Sequence, residues 1–185
     1  MRLTRTIMLA AAATLALAAC DKQAEQGSQA ATPAAKEAAG DDTLAKGIAP
    51  DGKLGAALKA AGLDATLAGP GPYTVLAPDD AAFGKMPAGA LDTLMKPEAR
   101  ADLTALLTYH ILPGTILAED IGKAIDAGKG KAVLATMGGG TLTATREGGA
   151  IVIADAAGGK ARVTKGDEKR SNGVIHHLDG VLMPS

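Results

Sequence analysis

Disulfides, aromatic platforms and an excess of charge are all missing from this chain. Its 185 residues include one cysteine, one phenylalanine, two tyrosines and no tryptophan. A single cysteine cannot form an internal disulfide, so stability must come from an ordinary apolar core. A folded region of about 140 residues is large enough to build one. Aromatic residues are 2% of the chain, too few for a sugar-stacking cleft or a base-stacking surface. Neither sign of charge dominates, with 19 Lys+Arg against 20 Asp+Glu. The broad basic field that nucleic-acid binding needs is therefore absent.

What is present begins with an export signal. Arg2 and Arg5 precede an apolar stretch from Ile7 to Ala19, too short to remain as a membrane span. Leu17-Ala18-Ala19-Cys20 is similar to a bacterial lipobox, in which the chain is cut before the cysteine and the cysteine is acylated. Residues 1–19 are thus read as a lipoprotein signal peptide and Cys20 as the lipidation site. Removing Arg2 and Arg5 leaves 17 basic against 20 acidic residues, a formal charge of −3. Bilayer association is expected from the acyl chains on Cys20 rather than from the protein surface. Residues 20–42 hold no aromatic or branched aliphatic side chain, which predicts a flexible tether after the lipidated cysteine.

Hydrophobic patterning begins at Leu44, giving one domain over residues 43–185 without internal repeats. Leu54, Ala57, Leu58 and Ala61 recur at helical spacing, with Gly62 placed to end the helix. Tyr73 to Ala77 reads as a strand stopped by Pro78, and Asp79 or Asp80 as the cap of a helix starting near Ala81. Leu103, Leu106, Leu107 and His110 form a second helical stripe. Strands are expected at 133–137, 141–145, 150–154 and 161–164, with more strand material from 174 to 183. Helices beside an antiparallel sheet make an α+β fold.

The residues offer little chemistry. His176 and His177 are neighbours in a strand, point to opposite faces and cannot chelate one ion. Asp79-Asp80 lacks the spacing of a calcium loop, so helix capping is the better reading. Gly138-Gly139-Gly140 fits a hairpin turn and lacks the Lys-Ser/Thr of a phosphate loop. Ser171 belongs to a Ser-Asn-Gly turn. Arg162, Lys165, Lys169 and Arg170 are interrupted by Asp167 and Glu168 and read as a solvated face. His110, on an apolar stripe, is expected to be a buried, hydrogen-bonded core residue, with Asp179 a plausible buried partner for one histidine.

Three ordered segments carry a family resemblance. Tyr73-Thr74-Val75-Leu76-Ala77-Pro78-Asp79-Asp80-Ala81-Ala82-Phe83 is the first, and Leu107-Thr108-Tyr109-His110-Ile111-Leu112-Pro113-Gly114 the second. The third runs from Asn172-Gly173-Val174-Ile175-His176-His177 through Leu178-Asp179-Gly180-Val181-Leu182-Met183-Pro184. Together they resemble the fasciclin domain family over residues 43–185, with Leu76 in place of a usual aromatic and His177 where an apolar residue is commoner. The resemblance implies antiparallel sheets forming a wedge with helices alongside. It also implies that Thr74, Val75, Pro78, Asp79, Phe83, Tyr109, His110, Asn172, Gly173, His176 and Asp179 serve the fold. No catalytic, metal or cofactor-binding residue is implied. The function implied is adhesion, through an extracellular or envelope protein or polysaccharide. A periplasmic carrier of apolar small molecules is the alternative, and would need a roomy apolar pocket.

Overall fold

Two strands buried along nearly their whole length, β1 (Tyr73–Pro78) and β7 (Gly173–Leu178), lie at the centre of the molecule. The structure is a computed structural model that describes residues 41–184. Before β1 come three helices, α1 (Leu44–Gly47), α2 (Lys53–Ala61) and α3 (Asp64–Ala68). After it come α4 (Asp80–Phe83), α5 (Ala90–Leu94), a 3-10 turn at Pro97–Ala99, α6 (Arg100–Tyr109) and β2 (Ile111–Pro113). Helix α7 (Ala118–Ala127) then leads to β3 (Ala132–Ala135), β4 (Thr141–Glu147), β5 (Ala150–Ala154) and β6 (Lys160–Arg170). The seven strands form one sheet in the order β2-β1-β7-β6-β5-β4-β3. Its ends curl towards each other, and the Met137 N–H beyond β3 donates to the Ile111 carbonyl of β2 at 2.8 Å.

Burial on both faces explains why β1 and β7 do not alternate between apolar and polar. Val75, Ala77 and Ile175 face one core, shared with Leu54, Leu58, Phe83 and Leu103 of the helices. Leu76 and Leu178 face a second core, shared with Leu142 and Ile153 of the strands and with Ile121 and Ile125 of α7. The single phenylalanine, Phe83, is 5% exposed. It serves as the core anchor its rarity suggests.

The α+β class is as expected, with one addition: β1 and β7 pair in parallel, Val75 opposite Ile175, while the other ladders are antiparallel. Strand β6 is far longer than the expected 161–164, because its polar outer half is held by β7 across two register shifts. Conversely, residues 179–183 are not strand but an irregular segment packed over the second core. Gly62 adopts φ 78° and closes α2, its N–H pointing to the Leu58 and Lys59 carbonyls. Helix α7 is absent from the sequence reading because only Ile121 and Ile125 mark its apolar face strongly.

Helix starts are supplied from elsewhere in the chain. Among the described residues, Thr43, Gly52 and Asp79 stand at N-cap positions but make no capping side-chain bond. Instead Asn172 Oδ1 accepts from Leu44 N at 2.7 Å, and Asp80 Oδ1 from Lys53 N at 2.9 Å. Asp167 Oδ1 accepts from Ala118 N at 2.8 Å, at the start of α7. The expected capping of α4 by Asp79 or Asp80 is therefore corrected: Asp80 caps α2, the helix packed against it.

The chain joins the domain slightly earlier than residue 43. The Asp42 carbonyl accepts from Ser171 N at 2.8 Å and from Ser171 Oγ at 2.9 Å. Its carboxylate meets Arg170 Nη1 at 2.7 Å. A chain starting at Asp41 should unfold at the temperature of one starting at Asp21. One starting at Thr43 should lose about 0.5–1 kcal/mol, since these bonds are solvent-exposed. Equal thermal midpoints for all three would mean that the Asp42 contacts add nothing.

Candidate functional site

Most polar residues of the three motif segments are turned to internal tasks, while Asp79, His177 and Asp179 reach the surface. Thr74 Oγ1 donates to the Gly114 carbonyl at 2.7 Å and accepts from Ile116 N at 2.9 Å, fixing the link between β2 and α7. Val75 and Pro78 are buried in β1. Tyr109 is 3% exposed, and its hydroxyl donates to the Thr141 carbonyl at 3.0 Å, tying α6 to β4. Gly173 leaves room for β1, because a Cβ there would land on the Tyr73 carbonyl oxygen.

Asn172 is the most heavily engaged. Besides capping α1, its Nδ2 donates to the carbonyls of Leu67 at 2.8 Å and Gly69 at 2.6 Å, at the end of α3. One buried amide thus holds the beginning of one helix and the end of another.

The histidines divide sharply. His110 is 2% exposed; Leu182 N donates to its Nε2 at 3.1 Å, so the proton sits on Nδ1 and is donated to the Leu106 carbonyl at 2.9 Å. Burial pushes its pKa down to about 4, against opposing effects of the Leu106 bond and the Asp155 charge. The ring is therefore neutral at pH 7. His176 is fully buried, accepts from Asp167 N at 3.2 Å and donates from Nε2 to the Ile116 carbonyl at 2.8 Å. Neither ring keeps a nitrogen for a base or a metal. Asp179 partners no histidine, contrary to expectation. Its carboxylate accepts from Arg162 N at 2.7 Å and faces Lys85 at 3.7 Å, with 42% of the side chain exposed.

His177 is the histidine that reaches the surface, on the opposite face of β7 from His176. Its Nε2 lies 3.1 Å from Glu168 Oε2 and its Nδ1 3.5 Å from Asp79 Oδ1. Glu168 also binds Lys165 at 2.7 Å and pairs with Arg170, which in turn reaches Asp42. Lys165 and Arg170, followed by His177, hold the Glu168 carboxyl down to about 2. A line of paired polar side chains thus runs from Asp42 through Arg170, Glu168 and His177 across β6 and β7 to Asp79. Sequence reading dispersed these residues into a solvated face and a helix cap. The signal that could have joined them is the period of two along β7, which puts His177 outside once His176 is inside.

Beside His177 lies an open cleft of about 220 Å³, walled by Gly47, Ile48, Gly52, Leu54, Pro78 and Asp79. A wider groove of about 510 Å³ runs between α1, α2 and α3, with Ile48, Leu58 and Leu67 in its wall. Both are clefts at the helical end rather than chambers within the strand core. Among the described residues no three His, Cys, Asp or Glu side chains converge as metal ligands.

Comparison with known proteins agrees with this architecture. The chain is 37% identical over 161 residues to protein sll1483 of Synechocystis, spanning 85% of this chain and 78% of that protein. It is 40% identical over 132 residues to transforming growth factor-beta-induced protein ig-h3 of Sus scrofa, spanning 71% of this chain but only 17% of that one. With immunogenic protein MPB70 of Mycobacterium bovis the identity is 34% over 115 residues, 62% of this chain and 51% of that protein. Among solved structures it resembles a FAS1 domain pair from the insect cell adhesion molecule fasciclin I. There the TM-score is 0.50 at 21% identity, over 69% of this chain and 40% of that chain, which is a likeness of fold. The fasciclin domain model matches residues 52–184, and with this fold and these relatives the chain belongs to the fasciclin domain family.

Proposed function

We propose that this protein is a non-catalytic adhesion module of the cell envelope, anchored through an acylated Cys20 and binding an extracellular or envelope protein or polysaccharide. The observation that carries the reading is the engagement of the motif side chains. His110 and His176 have both ring nitrogens bound to backbone groups, and Asn172 spends its amide on two helix ends. These side chains are left with nothing for bond-breaking chemistry, so their role is to build a rigid support for the surface around them. Family membership points the same way, since one similar solved structure belongs to a protein described as a cell adhesion molecule. The test is saturable binding of the fluorescently labelled domain to intact cells and to purified envelope polysaccharide. Competition by unlabelled domain is expected; retention that neither saturates nor competes would sink the reading.

A second reading, a carrier of apolar small molecules, draws on the groove of about 510 Å³ and its Ile48, Leu58 and Leu67 wall. Its shape favours adhesion, because a groove open along its length leaves much of an apolar ligand in water. Organic extraction of the purified domain distinguishes them: a stoichiometric lipid in the extract would favour the carrier.

Cys20 lies outside the described residues. Cys20→Ala should abolish incorporation of labelled fatty acid and leave an uncleaved precursor. A variant that still takes up label and partitions into detergent like the wild type would remove the anchor from the proposal.

A further inference from the structure

The segment after β7, residues 179–184, is a strap held at both cores without belonging to a strand. Leu182 is fully buried in the second core, with Leu76, Leu112 and Leu178. Two of the strap's backbone N–H groups donate to ionisable side chains rather than to carbonyls. Leu182 N donates to His110 Nε2 at 3.1 Å, and Met183 N to Asp155 Oδ2 at 2.9 Å.

We propose that this strap is a proton-released latch: a proton taken up at His110 Nε2 detaches Leu182 and bares the apolar end of the second core while the sheet remains formed. The chemistry is local. Nδ1 already carries a hydrogen bound to the Leu106 carbonyl, so a second proton has only Nε2 to occupy. There it converts an acceptor into a donor pointing at the Leu182 N–H, another donor. The imidazolium must then find water or an acceptor, and swinging the strap away admits water at once. Three groups face the ring: the Leu106 carbonyl from α6, the Leu182 amide from the strap, and the Asp155 carboxylate at the end of β5. Asp155 favours the imidazolium, yet it is engaged twice already, accepting from Gly159 N at 2.7 Å and from Met183 N. Burial outweighs its charge, which is why the ring stays neutral until the medium is acidic.

The β1–β7 ladder does not depend on the strap. Its register from Tyr73–Gly173 to Pro78–Leu178 is complete before Asp179. Opening therefore costs the burial of Leu182 and a few backbone bonds, less than unfolding the domain.

Amide hydrogen exchange by NMR on the mature chain tests the latch, with each rate corrected for the intrinsic effect of pH. Between about pH 7 and about pH 4.5 the protection of Leu182 and Met183 should fall by about tenfold or more and stay well below that of Val75 and Ile175, which exchange only when the sheet itself opens. His110→Gln offers a carbonyl acceptor that takes up no proton, so Leu182 should stay protected at the lower pH. The latch is overturned if Leu182 protection is unchanged in the wild type, or if Leu182 and Val75 show equal protection at the lower pH, as a single global opening would give. Equal acid lability in the His110→Gln variant would overturn it as well. The wild-type comparison decides the matter even where the variant folds poorly.

Discussion

Asn172→Ala should lower the unfolding free energy by about 3–5 kcal/mol, the largest loss expected from a single substitution here. The side chain is 5% exposed and makes three hydrogen bonds, to Leu44 N and to the Leu67 and Gly69 carbonyls. Alanine leaves one backbone donor and two acceptors without partners in a place that water enters poorly. The aspartate variant sharpens the point. Asn172→Asp keeps an acceptor for Leu44 but turns an anion towards two carbonyl oxygens, so it should cost at least as much at neutral pH. Ser171→Ala, one residue earlier and exposed, gives up only its bond to the Asp42 carbonyl and should stay within about 1 kcal/mol. Urea unfolding of the three variants beside wild type checks the order. An Asn172→Ala protein within 1 kcal/mol of wild type, on the scale of about ±0.5 kcal/mol usual for surface changes, would mean that the helix ends find other partners.

His110→Ala should cost about 2–4 kcal/mol at neutral pH, from the lost packing and two orphaned backbone groups. It should also change how stability responds to acid. In wild type the ring binds its proton near pH 4 when folded, against an ordinary value of 6.5 when unfolded. The unfolded chain therefore takes up the proton first as pH falls. The contribution is fully present above pH 6.5 and is lost progressively down to about pH 4. The total over that window is ~3 kcal/mol. His110→Ala should show a correspondingly flatter slope there, so the two curves converge near its lower end. Urea titrations across the window measure this, and parallel curves would show that His110 is not the titrating group. Glu168 answers in a lower window: its depressed carboxyl contributes above its ordinary value of 4.5 and loses that contribution towards about pH 2. Zinc supplies a further check, because a strong stabilisation of wild type by added zinc would contradict rings already committed to backbone groups.

Local rules served well where the deciding neighbours were close in sequence. The stripe Leu54-Ala57-Leu58-Ala61 became α2, and 150–154 became β5 to the residue. Gly62 ends its helix because the C-terminal motif needs a residue at positive φ within that same turn. His110 is core for the same reason: its stripe lies on its own helix. The failures lie where a distant residue decides. Asp79 had the right identity and position for a cap, but Asp80 was drawn to α2, 27 residues earlier. Asn172 caps a helix 128 residues away, and no window of four residues contains that information. The polar line through His177 needs β6 and β7 paired and bulged before its members become neighbours. Likewise, the parallel pairing of β1 with β7 follows from topology alone. Both strands are buried on two faces, but nothing local names the partner.

The central place of β7 sets the order in which this molecule can come together. Every other strand is made before it, yet β1 and β6 cannot join until residues 173–178 slot between them. A chain still emerging from a ribosome or a narrow translocation channel therefore holds two half-sheets with open edges and an N-terminal helix lacking its Asn172 cap. Such a chain stays open between its two halves, and it closes once the last strand arrives. Closure is therefore late, and the Asn172–Leu178 stretch is the timer of that event.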